Sequence, residues 1–179
     1  MKITTGHAAR EQAIVDLVTA TFTASDGEAE GQLVGTLARD LLADTPHDDI
    51  RVFCAEDEGA VIAAAIFSRL VYPQDTRVVF LLSPMAVATP FQRQGVGQAL
   101  LTHALDALRA EGVEVALTYG DPNYYRKVGF RPITEEQARA PMPLGMPHGW
   151  IGQSLTDAPM PALNGPSRGV PALNKPDIW

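Results

Sequence analysis

Between Phe80 and Gly97 the chain reads FLLSPMAVATPFQRQGVG, an apolar β-like run that passes through a two-glycine loop straight into a helix. Pro84 stands inside this run. Proline has no N–H to give a ladder, so a strand that keeps it must bulge or part from a neighbour there. Parted strands expose unpaired N–H and C=O groups to an extended, amide-bearing ligand. At the other end, the start of a helix gathers several unbonded N–H groups and the positive end of its dipole at one spot. That spot suits a phosphate or pyrophosphate. Gly95 and Gly97 allow a ligand oxygen close to the backbone, and Arg93 can add a charge-assisted contact. The loop has no lysine for a Walker motif, and Leu100 stands where a dinucleotide fingerprint needs its third glycine. Taken alone, it serves equally as an anion site or as a tight strand-to-helix connection.

The rest of the chain supplies an α+β frame. Residues 1–6 read as a first strand. Ala13, Ile14, Leu17, Val18 and Phe22 give one helical stripe between Arg10 and Phe22, and Ser25-Asp26-Gly27 punctuates it. Leu33, Val34, Leu37, Leu41 and Leu42 mark a second helix that ends before Pro46. The period then changes to β-like runs over Arg51 to Glu56, Ala60 to Tyr72 and Arg77 to Ala88, the first two joined by a turn at Glu58-Gly59. Helix returns from Gly97 to about Ala110, with Gly112 as a left-handed cap. A strand over Glu114 to Tyr119, a short helix over Asn123 to Val128 and a strand from Phe130 follow. From Pro141 onward the chain carries eight of its fourteen prolines and five of its fifteen glycines. This extension, about 141–179, is expected to be mostly irregular, with a strand over Gly149 to Leu155. Trp150, Leu155, Leu163, Leu173 and Trp179 are expected to anchor it on a single domain spanning 1–179.

Charge narrows the function classes. Residues 1–60 hold four Lys or Arg against twelve Asp or Glu, out of a whole-chain net charge of −7. A polyanion-binding face is hard to assemble from this, which excludes nucleic acid as the expected partner. An acidic half is either a solvated surface or an attractor of a cationic acceptor. The single cysteine, Cys54, lies in an apolar run and reads as a small buried hydrophobe, and no leader-like run occupies residues 1–20. A cytoplasmic protein with no membrane contact is expected. His7, His47, His103 and His148 lack ligand spacing, so no metal is expected.

The motif Gln92-Arg93-Gln94-Gly95-Val96-Gly97 resembles the Gln/Arg-x-x-Gly-x-Gly/Ala loop of the GNAT superfamily of N-acetyltransferases. The segment Gly120-Asp121-Pro122-Asn123-Tyr124-Tyr125-Arg126-Lys127-Val128-Gly129-Phe130 is similar to the Tyr-x-x-x-Gly-Phe segment after that family's fifth strand. Its Gly-Asp-Pro-x-Tyr-Tyr form resembles a bacterial branch of predicted acetyltransferases. The resemblance covers roughly residues 1–135. It implies an α/β/α layered fold, a mixed but mostly antiparallel sheet of six or seven strands splayed between the fourth and fifth.

The resemblance also implies acetyl-CoA as cosubstrate and a primary amine as acceptor: a small molecule, an amino acid or a peptide N-terminus. It assigns the pyrophosphate to Gln92, Arg93, Gln94, Gly95, Val96, Gly97 and Gln98, with Tyr124 beside them. Met85, Ala86 and Val87 are assigned to the pantetheine arm and the thioester carbonyl, and Tyr125 to the general acid at the departing sulfur. The base is not identified: Glu28, Asp26 and Asp121 are weak candidates, Asp121 doubling as a helix cap. A non-catalytic acyl-CoA sensor is the alternative reading, and a homodimer through the tail or a sheet edge is compatible with the sequence.

Overall fold

The computed structural model describes residues 1–179. Strand β1 (Lys2–Thr5) leads to helices α1 (Glu11–Asp26) and α2 (Glu28–Asp44), then to β2 (Ile50–Asp57), β3 (Ala60–Arg69) and β4 (Val79–Val87). Helix α3 (Val96–Ala110), β5 (Val115–Tyr119), the single turn α4 (Pro122–Tyr125), β6 (Arg131–Pro132) and β7 (Trp150–Ser154) complete the order. One sheet takes all seven strands in the order β1-β2-β3-β4-β5-β7-β6. Every pairing is antiparallel except β4 with β5, which α3 joins as a crossover.

Helices cover both faces, so the central strands are buried on both sides and read as continuous apolar runs rather than alternations. Alternate residues still sort cleanly: Ala64 and Ile66 of β3 join the core under α1 and α2, whereas Ala63, Ala65 and Phe67 join the core under α3. Cys54 is fully buried in the first core, and its burial pushes the thiol up to about 11, which keeps it uncharged and inert.

Helix α1 runs one turn beyond Phe22, so Ser25 and Asp26 are helical and Gly27, at φ 97°, is the break. Gly112 takes the left-handed conformation expected after α3. Strand β3 ends at Arg69 and β4 begins at Val79, inside the expected runs. The chain between them turns to hold the tail, with Val71 bridging Arg168 and the Tyr72 hydroxyl donating to the Arg139 carbonyl. The strand after Phe130 shrinks to two residues because β7 pairs with all five residues of β5 and displaces it outward.

Pro84 has the expected effect on both sides. Against β3, Ala65 faces Met85 while Phe67 faces Leu82, so Ser83 and Pro84 form a bulge. Against β5, pairing runs from Val79–Val115 to Leu82–Thr118 and stops. The Thr118 hydroxyl donates to the Leu82 carbonyl at 2.8 Å at this last rung. Beyond it the two strands part, and the β5-facing edge of Ser83 to Val87 is left without a strand partner.

Candidate active site

The parted strands and the start of α3 form one continuous site. After β4 the chain makes a 3-10 turn at Thr89–Phe91, and Gly95, at φ 81°, turns it into α3. Arg93 is left-handed as well, at φ 61°. As a result the N–H groups of Arg93, Gln94, Gly95, Val96, Gly97 and Gln98 make no hydrogen bond of normal geometry within the protein. The glutamines fold back to brace the loop. Gln92 donates to the Val87 carbonyl at 2.9 Å and Gln94 to the Pro90 carbonyl at 2.8 Å. The site therefore presents main-chain donors, with Arg93 and Gln98 exposed beside them. A run of six unbonded donors at a helix start fits a pyrophosphate, and the open edge of β4 fits an amide chain leading from it.

Helix α4 stands across the splay. Asp121 accepts a hydrogen bond from the Asn123 N–H at 2.9 Å, so the carboxylate considered as a base is the cap of this turn. Tyr124 reaches back to α3 and β4, with its hydroxyl 3.9 Å from the Met85 sulfur. Tyr125 packs edge-on between Tyr124 and Phe130, at ring separations of 5.0 and 5.7 Å. Burial pushes its phenol well above the ordinary value of 10; Tyr124 and Asp121 add to the shift and the Thr118 hydroxyl opposes it. The group stays protonated throughout the neutral range.

Opposite the loop, a cleft of about 140 Å³ opens between α2 and the parted strands. Leu82, Ser83, Pro84 and Met85 of β4, Thr118 and Tyr119 of β5, and Tyr125 of α4 form its floor. Phe22 of α1 and Leu33, Val34 and Leu37 of α2 form one wall, and Ile178 from the tail closes the other. The one ionisable carboxylate on this lining is Glu30, half-buried in the first turn of α2. Glu28 and Asp26 are exposed at the α1–α2 turn and do not line it. Sequence reasoning misses Glu30, although with Leu33, Val34 and Leu37 it falls at helical spacing on one face, the signal that could find it. His103 is exposed on α3, and no group of three or more His, Cys, Asp or Glu side chains converges anywhere. No helix is long and apolar enough to cross a membrane.

Comparison with known proteins identifies the family. A family profile described as an acetyltransferase (GNAT) domain matches residues 48–132, from the turn before β2 to the end of β6. The uncharacterized N-acetyltransferase YjhQ of Escherichia coli K12 is 30% identical over 129 residues, covering 69% of this chain and 71% of that protein. Among solved structures, the GNAT family N-acetyltransferase YhbS of Escherichia coli, in complex with CoA, superposes with a TM-score of 0.80 at 24% identity. That match covers 97% of this chain and 92% of the other. A GNAT family acetyltransferase of Brucella melitensis, in complex with acetyl-CoA, matches with a TM-score of 0.70 at 22% identity over 97% of both chains. The chain belongs to the GNAT family of acetyltransferases.

Proposed function

We propose that the protein transfers the acetyl group of acetyl-CoA to a primary amine by direct attack. The observation that carries this reading is the run of six unbonded N–H groups from Arg93 to Gln98, placed next to the unpaired edge of β4. Acetyl-CoA supplies the acetyl group as a thioester. The loop amides and the Arg93 guanidinium hold its pyrophosphate. Backbone groups of Met85 and Val87, on the edge of β4 that faces away from β3, pair with the pantetheine amides and polarise the carbonyl under attack. Ala86, expected from the sequence to share this role, turns its N–H and carbonyl toward Ala64 of β3, and the Val87 carbonyl already accepts from Gln92, so the Val87 N–H and the Met85 groups carry that pairing.

The acceptor enters through the opposite cleft, and its nitrogen attacks the carbonyl carbon. A new C–N bond forms, the C–S bond breaks, and the amine proton leaves through Glu30 or water. The departing thiolate has a pKa of about 8.5. Tyr125, a phenol kept protonated by its burial, hydrogen-bonds to that sulfur or donates its proton to it as the general acid.

Isothermal titration with acetyl-CoA, coenzyme A and a nucleotide lacking the pantetheine arm tests the reading. Micromolar binding that requires the arm, followed by amine-dependent thiol release, is the expected result. A folded protein that binds neither thioester nor thiol overturns it. Binding without turnover of any amine leaves an acyl-CoA sensor in its place.

A further inference from the structure

We infer that the acceptor is a small primary amine with an apolar body and no carboxylate, its ammonium met by Glu30. This inference rests on the proposed function and names the acceptor class for the same cleft.

The walls decide the body. Phe22, Leu33, Val34, Leu37 and Ile178 present hydrocarbon to the bound molecule, and the polar side chains of the floor, Ser83, Thr118, Tyr119 and Tyr125, are uncharged, so a multiply charged chain would lose its hydration with one ionic partner at most. An apolar body is favoured roughly in proportion to the area it buries there. The single charge decides the head group. Glu30 makes no ion pair within the protein, since none of the eight salt bridges includes it. An ammonium is the complementary group, and the same carboxylate can take up its proton so that the neutral nitrogen is free to attack.

The absence of a cation on this lining decides what the acceptor does not carry. No lysine, arginine or histidine lines the cleft. The nearby tail cation, Lys175, is paired with Asp40 at 2.9 Å. The Thr118 hydroxyl already donates to the Leu82 carbonyl. A carboxylate beside the acceptor nitrogen, as in a free amino acid, would find no cation on this lining and would sit close to Glu30. The excess of twelve acids over four bases in residues 1–60, which include α1 and α2, adds long-range repulsion of the same sign.

The test compares 2-phenylethylamine, phenylalanine and spermidine as acceptors, by thiol release, with a protein first shown by calorimetry to bind acetyl-CoA. Phenylalanine differs from 2-phenylethylamine by the carboxylate, and spermidine replaces the apolar body with charge. The expected kcat/KM for 2-phenylethylamine exceeds that for phenylalanine by at least about 100-fold and also exceeds that for spermidine. Saturable binding of 2-phenylethylamine to the CoA complex is expected independently of turnover. Glu30→Gln should raise its KM about tenfold or more and leave the acetyl-CoA Kd unchanged. Phenylalanine within tenfold of 2-phenylethylamine, a preference for spermidine, or acetyl-CoA binding with no acetylation of 2-phenylethylamine overturns the inference. Failure to bind acetyl-CoA overturns the proposed function itself, and the inference falls with it.

Discussion

The Tyr124 hydroxyl fills the space beside Gly97: a Cβ built on that glycine would lie 2.0 Å from the oxygen. The same Cβ would meet the Met85 methyl at 3.0 Å and a Val87 methyl at 3.2 Å. The last glycine of the loop motif is therefore fixed by packing. It lets α4 close onto the start of α3, which ties the two sequence motifs together. Gly97→Ala gains about 1 kcal/mol of helix propensity but forces an overlap costing roughly 1–3 kcal/mol. A net loss of stability and a weaker acetyl-CoA affinity are expected. In a Tyr124→Phe background the clashing oxygen is gone, so the cost of Gly97→Ala should shrink. Urea denaturation of the four proteins of this double-mutant cycle measures the coupling, and strict additivity would refute it.

Tyr125→Phe keeps the ring between Tyr124 and Phe130 and removes only the donor. Loss of one such donor lowers kcat by about 100-fold, with acetyl-CoA affinity unchanged. Because the phenol is held above its ordinary pKa of 10, its ionisation adds no fall in rate below about pH 10. The pH–rate profile of wild type should lack an alkaline limb that disappears in the variant. Equal turnover by both proteins would remove Tyr125 from the reaction.

Buried phenols also set the alkaline edge of stability. Burial pushes Tyr72 and Tyr125 above 10, the value they have in the unfolded chain. The folded state thus holds these protons more tightly, and the stability they contribute is fully present below pH 10 and lost as pH rises beyond it. At the acid edge, burial of Asp75 works against its ionisation, yet the N–H groups of Arg77 and Asn164 and the Arg77 charge lower it below 3.8. That contribution is present above 3.8 and fades as pH falls. Tyr72→Phe should flatten the alkaline fall, and Asp75→Asn the acid one, in denaturation midpoints measured across pH.

Most of the frame was legible because its signals are local. The stripe Leu100, Leu101, Ala104, Leu105, Leu108 specifies the buried face of α3, and Pro84 announces both the bulge and the parting of β4 from β5. The loop from Gln92 to Gly97 announces its donors for the same reason. What was not legible depends on chain-distant contacts. Ser25-Asp26 looks like a stop, yet tertiary packing of α1 on α2 extends the helix to the next residue able to take φ 97°, Gly27. Nothing near Phe130 says that β7, twenty residues on, will take the place beside β5. Ile178 reaches the cleft only because the tail returns to it. Glu30 was within reach of the helical period but was masked by Glu28, which sits nearer the turn.

Helices α1 and α2 approach closely through Gly31 and Gly35. A Cβ at 31 would lie 1.9 Å from the Thr23 hydroxyl and 2.8 Å from the Thr19 carbonyl oxygen. A Cβ at 35 would meet the Thr19 hydroxyl at 2.0 Å, and that hydroxyl donates to the Val15 carbonyl. A side chain can rotate away, whereas the Thr19 backbone cannot. Gly31→Ala should therefore push α2 outward, costing about 1–3 kcal/mol. Because Glu30, Leu33 and Val34 ride on that helix, the KM for the amine should rise while acetyl-CoA binding holds. A variant with wild-type stability and KM would show that α2 tolerates the shift.

Trp179 locks the tail to the sheet and, through Ile178, to the cleft. Its ring stacks on Tyr119 at 6.1 Å, meets Trp150 edge-on at 6.0 Å, and donates its indole N–H to the Leu173 carbonyl at 2.9 Å. Only 9% of it is exposed. Truncating a buried tryptophan costs about 3–5 kcal/mol. That is a large part of the stability of a domain this size, which lies at roughly 5–15 kcal/mol. If the extension from Pro141 is part of the domain, Trp179→Ala lowers stability by that amount in a single cooperative urea transition. Trp179→Phe, which retains the stack on Tyr119, should recover much of it. Ile178, one residue away, loses its position in the first variant, so the KM for an apolar amine should rise there and not in the second. A tail that melts in a separate transition, with the remaining domain unaffected and the amine KM unchanged, would instead make the extension a separate appendage.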